Sequence, residues 1–420
     1  MGLPVQYNLR NLVERKGTTL MTAIGIALTV AVLVTSVAMS NGMDAVFAGS
    51  GHPRQVMVLR KGTDSELNSQ IKEDWYQVIR QTPGIAPGTD GQPMASPEAQ
   101  TVVNLPSVDN PNGMNVTVRG LLPVGRKMRE NAVLKTGRWN EPGKREVVVG
   151  DGIAARYPAA RVGQKLKFGR GEWDVVGEFR DGDSAANSEI WADLNQLRGD
   201  FEREGGCNSV LVRLTEAEAA KSLEVMRAKE KEAAARPGAK ADDPPPPPPP
   251  GTFMAALEAD QRIGVSTFGE REYYKQLTKT SNGQVLQFLG KFVAIVMAIG
   301  AGFAASNTMY AAVSRRSREI ATLRAIGFGR GAILRSFLLE SIFLALIGAA
   351  IGILIALPVN NVSAGVGNWQ TFSETAFKFK IDGRAIVAGV LFAAVIGALG
   401  GLLPAWSASR KNVVTAMREM

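Results

Sequence analysis

Four stretches of the chain are almost wholly apolar, without the alternation of a half-buried strand or the single stripe of a surface helix. They cover 18–40, 285–313, 332–357 and 385–406. Crossing a bilayer takes ~20 predominantly apolar residues in a helix, and each stretch meets that. The charges within them, Lys291, Arg335 and Glu340, are placed toward the ends, where they can reach an interface. A cleavable signal sequence has an apolar region of ~7–15 residues, so the longer first stretch reads as an uncleaved anchor.

Between the first two stretches the pattern changes. Val56 and Val58 alternate with Met57 and Leu59 and predict a strand within 54–62. Further strands are predicted at 101–104, 115–119, 146–149, 165–168, 173–179, 189–192 and 209–214. Helical patterns cover 66–81, 151–157, 253–261 and 270–279, with the last leading into the second span. Residues 41–284 therefore read as one large α+β domain set between spans 1 and 2 of a four-span helical membrane protein. Within it, 216–235 is an Ala/Glu/Lys-rich helix followed by seven prolines, Pro244–Pro250. Such a run is a stiff polyproline spacer, and 216–251 is taken as a surface insertion. Residues 1–17 form an amphipathic segment before the first span, with Val5, Leu9, Leu12 and Val13 on one side.

Charge orients this arrangement. Residues 1–17 are net +2, 314–335 net +5 and 406–420 net +2, which together account for the net +9 of the whole chain. Positive segments stay on the cytoplasmic side. The expected topology has both termini (1–17 and 407–420) and the loop 314–331 in the cytoplasm, with 41–284 and the short loop 358–384 outside. The excess charge is thus a topology signal, and no nucleic-acid partner is expected. Small residues suited to close helix packing occur at Gly300, at Gly348-x-x-x-Gly352 and at Gly397-x-x-x-Gly401. Pro404 should kink or end the fourth span.

Catalytic chemistry finds little support. One histidine, His52, and one cysteine, Cys207, exclude a His-rich metal site and a disulfide within the chain, and no Ser/His/Asp or Cys/His set is assembled around the peripheral His52. The acidic group Asp181, Asp183 and Glu189 lacks the remaining ligands of a calcium loop, so no metal and no catalytic residue is assigned.

The segment 314–340 (SRRSREIATLRAIGFGRGAILRSFLLE) holds six arginines against one early carboxylate, Glu319. Ile320, Leu323 and Ile326 recur at every third position and are expected to share one side of a short helix that Gly327 and Gly329 stop. A short basic helix between two spans is suited to docking a cytoplasmic partner.

These features together resemble the permease subunits of MacB/FtsX/LolC-type ATP-binding cassette systems. The similar stretches are NLRNLVERKGTTLMTAIGIALTVAVLV at the first span, VTVRGLLP and LKTGRWNEPGKREVVVGDG in the polar domain, the 314–341 segment, and PAWSASRKNVVTAMRE at the end. The resemblance implies an inner-membrane dimer, made with a second copy or a paralogue, bound to a cytoplasmic ATPase that holds the ATP and magnesium. A periplasmic adaptor or outer-membrane component is a further candidate partner. It also implies that Arg315, Arg316, Arg318, Glu319, Ile320, Leu323, Arg324, Ala325 and Gly327 couple the permease to that ATPase. No G-x-x-x-x-G-K-[ST] loop occurs in the sequence, so no cofactor is expected on this chain. The implied activity is ATP-driven export, extraction or release of a lipoprotein, lipid, peptide or drug. The alternative is an FtsX-like regulator that transmits ATPase movement to an enzyme outside.

Overall fold

The computed structural model describes residues 16–108, 110–202, 205–222, 251–280, 282–360, 362–367 and 372–410. The expected amphipathic N-terminal segment, the proline run and most of the 216–251 insertion lie outside them. The chain divides into two compact units. A helical unit comprises 1–42, 285–362 and 378–420, and a sheet unit comprises 43–284 and 363–377. The sheet unit therefore differs from the expected 41–284 by gaining part of the loop between the third and fourth apolar stretches.

Among the described residues, four helices are long and apolar enough to cross a membrane: Lys16–Gly49, Asn282–Arg315, Arg330–Ala356 and Gly383–Arg410. The first helix continues past residue 40, through Asn41-Gly42, and ends at Gly49 before the Ser50-Gly51 turn.

The first helix is the hub of its unit. A Cβ on Gly348 would fall 2.9 Å from the Ala23 carbonyl oxygen, and one on Gly352 would fall 3.0 Å from Val30 Cβ. The two glycines thus let the third helix lie directly against the first. Gly397 and Gly401 do the same for the fourth helix against the third, where Ser341 Oγ also donates to the Gly397 carbonyl at 2.7 Å. At Gly300 a Cβ would meet nothing within 4 Å among the described residues of this chain. Gly400 instead holds the second and fourth helices close, since its Cβ would lie 3.0 Å from the Gly302 carbonyl oxygen.

Pro404 neither ends nor breaks the fourth helix, which runs on to Arg410. Proline removes the N–H that the Gly400 carbonyl would accept. Ser306 Oγ of the second helix donates to that carbonyl at 2.6 Å in its place.

The sheet unit is built on strands β1 (Gln55–Arg60), β2 (Ile71–Lys72), β3 (Ala95–Leu105), β4 (Met114–Leu121), β5 (Ala132–Gly137), β6 (Glu146–Gly150) and β7 (Lys165–Phe168). It continues with β8 (Gly171–Asp181), β9 (Glu189–Asp193), β10 (Gly206–Cys207), β11 (Ser209–Arg213) and β12 (Val265–Gly269). A hairpin of β13 (Ser363–Gly367) and β14 (Glu374–Lys378) completes the set. The main sheet runs β12-β1-β11-β3-β4-β9-β6-β8-β5, with β7 paired to β8. It is mixed: β4 and β9 are parallel, as are β6 and β8, while β3–β4 and β1–β11 are antiparallel. One core packs Trp173, Tyr157, Val116 and Val149 on one half of the sheet, and a second packs Ile79, Val58, Val212 and Leu257 on the other.

A charged cluster lies buried within this sheet. The guanidinium of Arg119 on β4 donates to Glu66 at 2.7 Å, to Glu98 at 2.8 Å and to Glu189 at 2.8 Å. Arg129 forms a second pair with Glu98 at 2.8 Å. Burial works against the charged form of Arg119, but Glu189, Glu66 and Glu98 outweigh it and hold the group well above its ordinary range.

The cluster corrects two expectations. The helix expected over 66–81 is confined to Glu73–Gln81. Glu66 is drawn to Arg119 instead, and Asn208 Nδ2 donates to the carbonyls of Glu66 and Ser69, both at 3.1 Å. Glu189, grouped above with Asp181 and Asp183, is likewise committed to Arg119.

Glu270 is buried where the helix Glu270–Thr280 begins, and its carboxylate accepts the His52 backbone N–H at 2.8 Å. Burial pushes its pKa up from an ordinary 4.5 to about 7. A raised folded-state value stabilises fully below the unfolded value, and that contribution is lost as pH rises through the folded one. His52, lowered chiefly by burial, works in the opposite direction as pH falls toward and below its ordinary 6.5. Thermal unfolding of the full chain should therefore show the sheet unit gaining about 1 kcal/mol as pH falls from ~8 to ~6.5, a gain that Glu270→Gln removes. A pH-independent transition in the unsubstituted chain over that window would contradict this.

Candidate functional site

The basic segment folds as a short helix, Ser317–Ala325, between the second and third long helices. Its stop follows from glycine. Gly327 has φ +106°, its N–H donates to the Arg324 carbonyl at 3.2 Å, and the Phe328 N–H donates to the Leu323 carbonyl at 3.1 Å. That pair of bonds satisfies the last turn's carbonyls and needs a residue tolerant of positive φ.

The helix has two unlike faces. On the inner face, Arg316 is buried and its Nη1 lies 3.1 Å from Glu340 of the third helix. The two side chains are 5% and 6% exposed, so neither charge is presented to a partner. Ile320 is also buried, packed with Met309, Val313, Ile333, Phe337, Ala405 and Ala408. On the outer face Arg315, Arg318, Glu319, Thr322, Ala325 and Ile326 are exposed. Arg318, Glu319, Thr322 and Ala325 recur at helical spacing, so they form one continuous strip.

Three readings of the sequence change. Arg316 and Ile320 belong to the helix's own packing surface, although the resemblance groups them with the coupling residues. Glu340, expected near an interface, is 4% exposed and paired. Ile320, Leu323 and Ile326 do not share a side: the first is 2% exposed and the last 71%. A step of three residues turns ~300°, so two such steps leave Ile320 and Ile326 about 120° apart. Leu323 and Arg324 fall between the faces, and Arg324 Nη1 reaches the Ser409 carbonyl at 3.5 Å. The Arg316–Glu340 pair was missed although both residues stood in view, because 24 positions separate them and no local pattern joins them.

Residues 19–225 match the family model described as the MacB-like periplasmic core domain, and residues 291–413 match that of the FtsX-like permease C-terminal. The chain belongs to the MacB/FtsX-type permease family. Among curated relatives, a macrolide export ATP-binding/permease protein MacB of Syntrophobacter fumaroxidans is 33% identical over 145 residues. That match covers 34% of this chain and 19% of the relative. The uncharacterized ABC transporter permease YknZ of Bacillus subtilis is 32% identical over 130 residues, 31% of this chain and 30% of YknZ. The chain thus spans less than a third of either relative in these matches. The periplasmic region of MacB from Actinobacillus actinomycetemcomitans aligns with 56% of this chain and 95% of its own, at TM-score 0.35 and 11% identity. Four apolar helices with a mixed α/β, MacB-like domain between the first two are the architecture of this chain.

Breaking a buried ion pair by removing one partner costs about 3–5 kcal/mol, while replacing both by apolar side chains is often close to neutral. Arg316→Ala and Glu340→Ala should each lower the thermal stability of the detergent-solubilised chain markedly, and Arg316→Met with Glu340→Met should restore most of it. Equal losses in the single and double variants would show that the pair does not hold the short helix.

Proposed function

We propose that this chain is the permease subunit of an ATP-binding cassette system, and that the exposed strip of the Ser317–Ala325 helix with Ile326 seats in an ATPase subunit. The observation that carries this reading is the two-faced helix. Its inner side is fixed by Arg316–Glu340 and by Ile320, so a push on the outer side reaches the long helices instead of bending a loop. Its outer side combines Arg315 and Arg318 with one bare isoleucine, a polar rim around an apolar anchor.

The net positive charge of the same segment supports a cytoplasmic location for it and for both termini, and with it a sheet unit outside the inner membrane. ATP and magnesium belong to the ATPase in this reading, and the chain itself is non-catalytic. A second copy or a paralogue completes the dimer, and an adaptor or outer-membrane component extends it. ATPase closure moves the short helices, the long helices carry the movement across the bilayer, and the sheet unit does work on a lipoprotein, lipid, peptide or drug. The MacB relatives are named for macrolide export, which favours export or extraction over the transmission of a signal to an outside enzyme.

Ile326→Asp puts a charge at the anchor without touching the buried face. The variant should insert in the membrane at normal levels and lose roughly tenfold or more in co-purification with its ATPase. Undiminished ATPase binding by this variant and by Arg318→Glu would remove the docking strip from the account.

A further inference from the structure

The segment between the third and fourth long helices does more than connect them. Its hairpin, β13 with β14, clusters with the sheet unit although both helices that flank it belong to the helical unit. The attachment is specific. Arg156 Nη2 lies 2.6 Å from Glu374 Oε1, with the two side chains 11% and 4% exposed. Tyr157, a core residue, donates its hydroxyl to Glu374 Oε2 at 2.8 Å. The Ala376 N–H donates to Ser188 Oγ at 2.7 Å. Gly365 on the opposite strand lies hard against the pair, and a Cβ there would collide with the Glu374 carboxylate and the Arg156 guanidinium.

The place of attachment matters. A cavity of about 40 Å³ beside Arg119 is lined by Glu374 of the hairpin, by Phe47 and by Tyr274 and Leu277. Phe47 ends the first long helix, and Tyr274 and Leu277 lie on Glu270–Thr280, just before the second. Residues adjoining all four long helices thus converge on the charged cluster of Arg119, Glu66 and Glu189.

We propose that the β13–β14 hairpin is a latch that fastens the segment between the third and fourth helices to the sheet, with Glu374 as its bolt. A carboxylate this buried stays in place only while paired, so the latch is either closed on Arg156 and Tyr157 or released into water. Its use as a second route for movement rests on the mechanical function proposed above, whereas its existence does not.

Hydrogen exchange on the full-length chain in detergent tests it without nucleotide or ATPase. Glu374→Ala should raise exchange across 363–378 by roughly 10- to 100-fold while peptides from β3 and β4 keep their unsubstituted rates. Gly365→Val keeps both charged groups but fills the space between the strand and the pair, and it should release the same peptides. Unchanged protection of 363–378 in Glu374→Ala overturns the latch; should that variant also loosen β3 and β4, unchanged protection in Gly365→Val overturns it. A failed latch would leave the docking strip standing, and a failed docking strip would leave the latch.

Discussion

The buried pair of Arg316 and Glu340 is the constraint from which the helical unit's behaviour follows. An arginine and a glutamate this far from water persist only together, so the start of the short helix is tied to the third long helix at Glu340, about three turns after that helix begins at Arg330. Ile320, one turn on, adds apolar contacts with the second, third and fourth helices. With its inner face committed, the short helix has only its outer strip to offer. The positive charge that reads as a docking surface in sequence is thereby divided: Arg316 is structural, while Arg315 and Arg318 remain available.

The sheet unit repeats this logic with more partners. Arg119 joins β4 to β9 through Glu189, to β3 through Glu98 and to the segment before β2 through Glu66. One side chain therefore reinforces three neighbouring strands and adds to them the segment before β2, which no ladder of the main sheet holds. Phe47, Tyr274, Leu277 and Glu374 line a small cavity beside it. An apolar core would give similar stability at lower desolvation cost, so the ionic cluster fits a requirement for a single fixed geometry.

Much of this was legible in the chain, and the failures share a cause. The long apolar stretches and the strands at 146–149 and 209–214 announce themselves through burial of apolar side chains, and Gly327 announces a stop through its freedom at positive φ. Strand β3 was recognised only from 101, because its buried residues Ser96, Glu98 and Gln100 are polar and mimic a surface. The helix expected at 66–72 gave way for the same reason, with Glu66 called inward by a charge 53 positions away. Arg316 was read as exposed because its carboxylate partner stands on another helix. The hairpin was read as a bare loop because Glu374 shows its purpose only beside Arg156. Local periodicity reports apolar burial well and reports buried ion pairs hardly at all.

The central claim is that residue 326 faces an ATPase from the cytoplasmic side while residue 320 does not. Single cysteines at these positions, in a chain with Cys207 replaced by serine, can be titrated with a membrane-impermeant maleimide in inverted and right-side-out vesicles. The account predicts fast labelling at 326 in inverted vesicles stripped of ATPase, protection on adding the ATPase back, and little labelling at 320 in either case. Labelling of 326 from the opposite side, or labelling that the ATPase leaves unchanged, would contradict it.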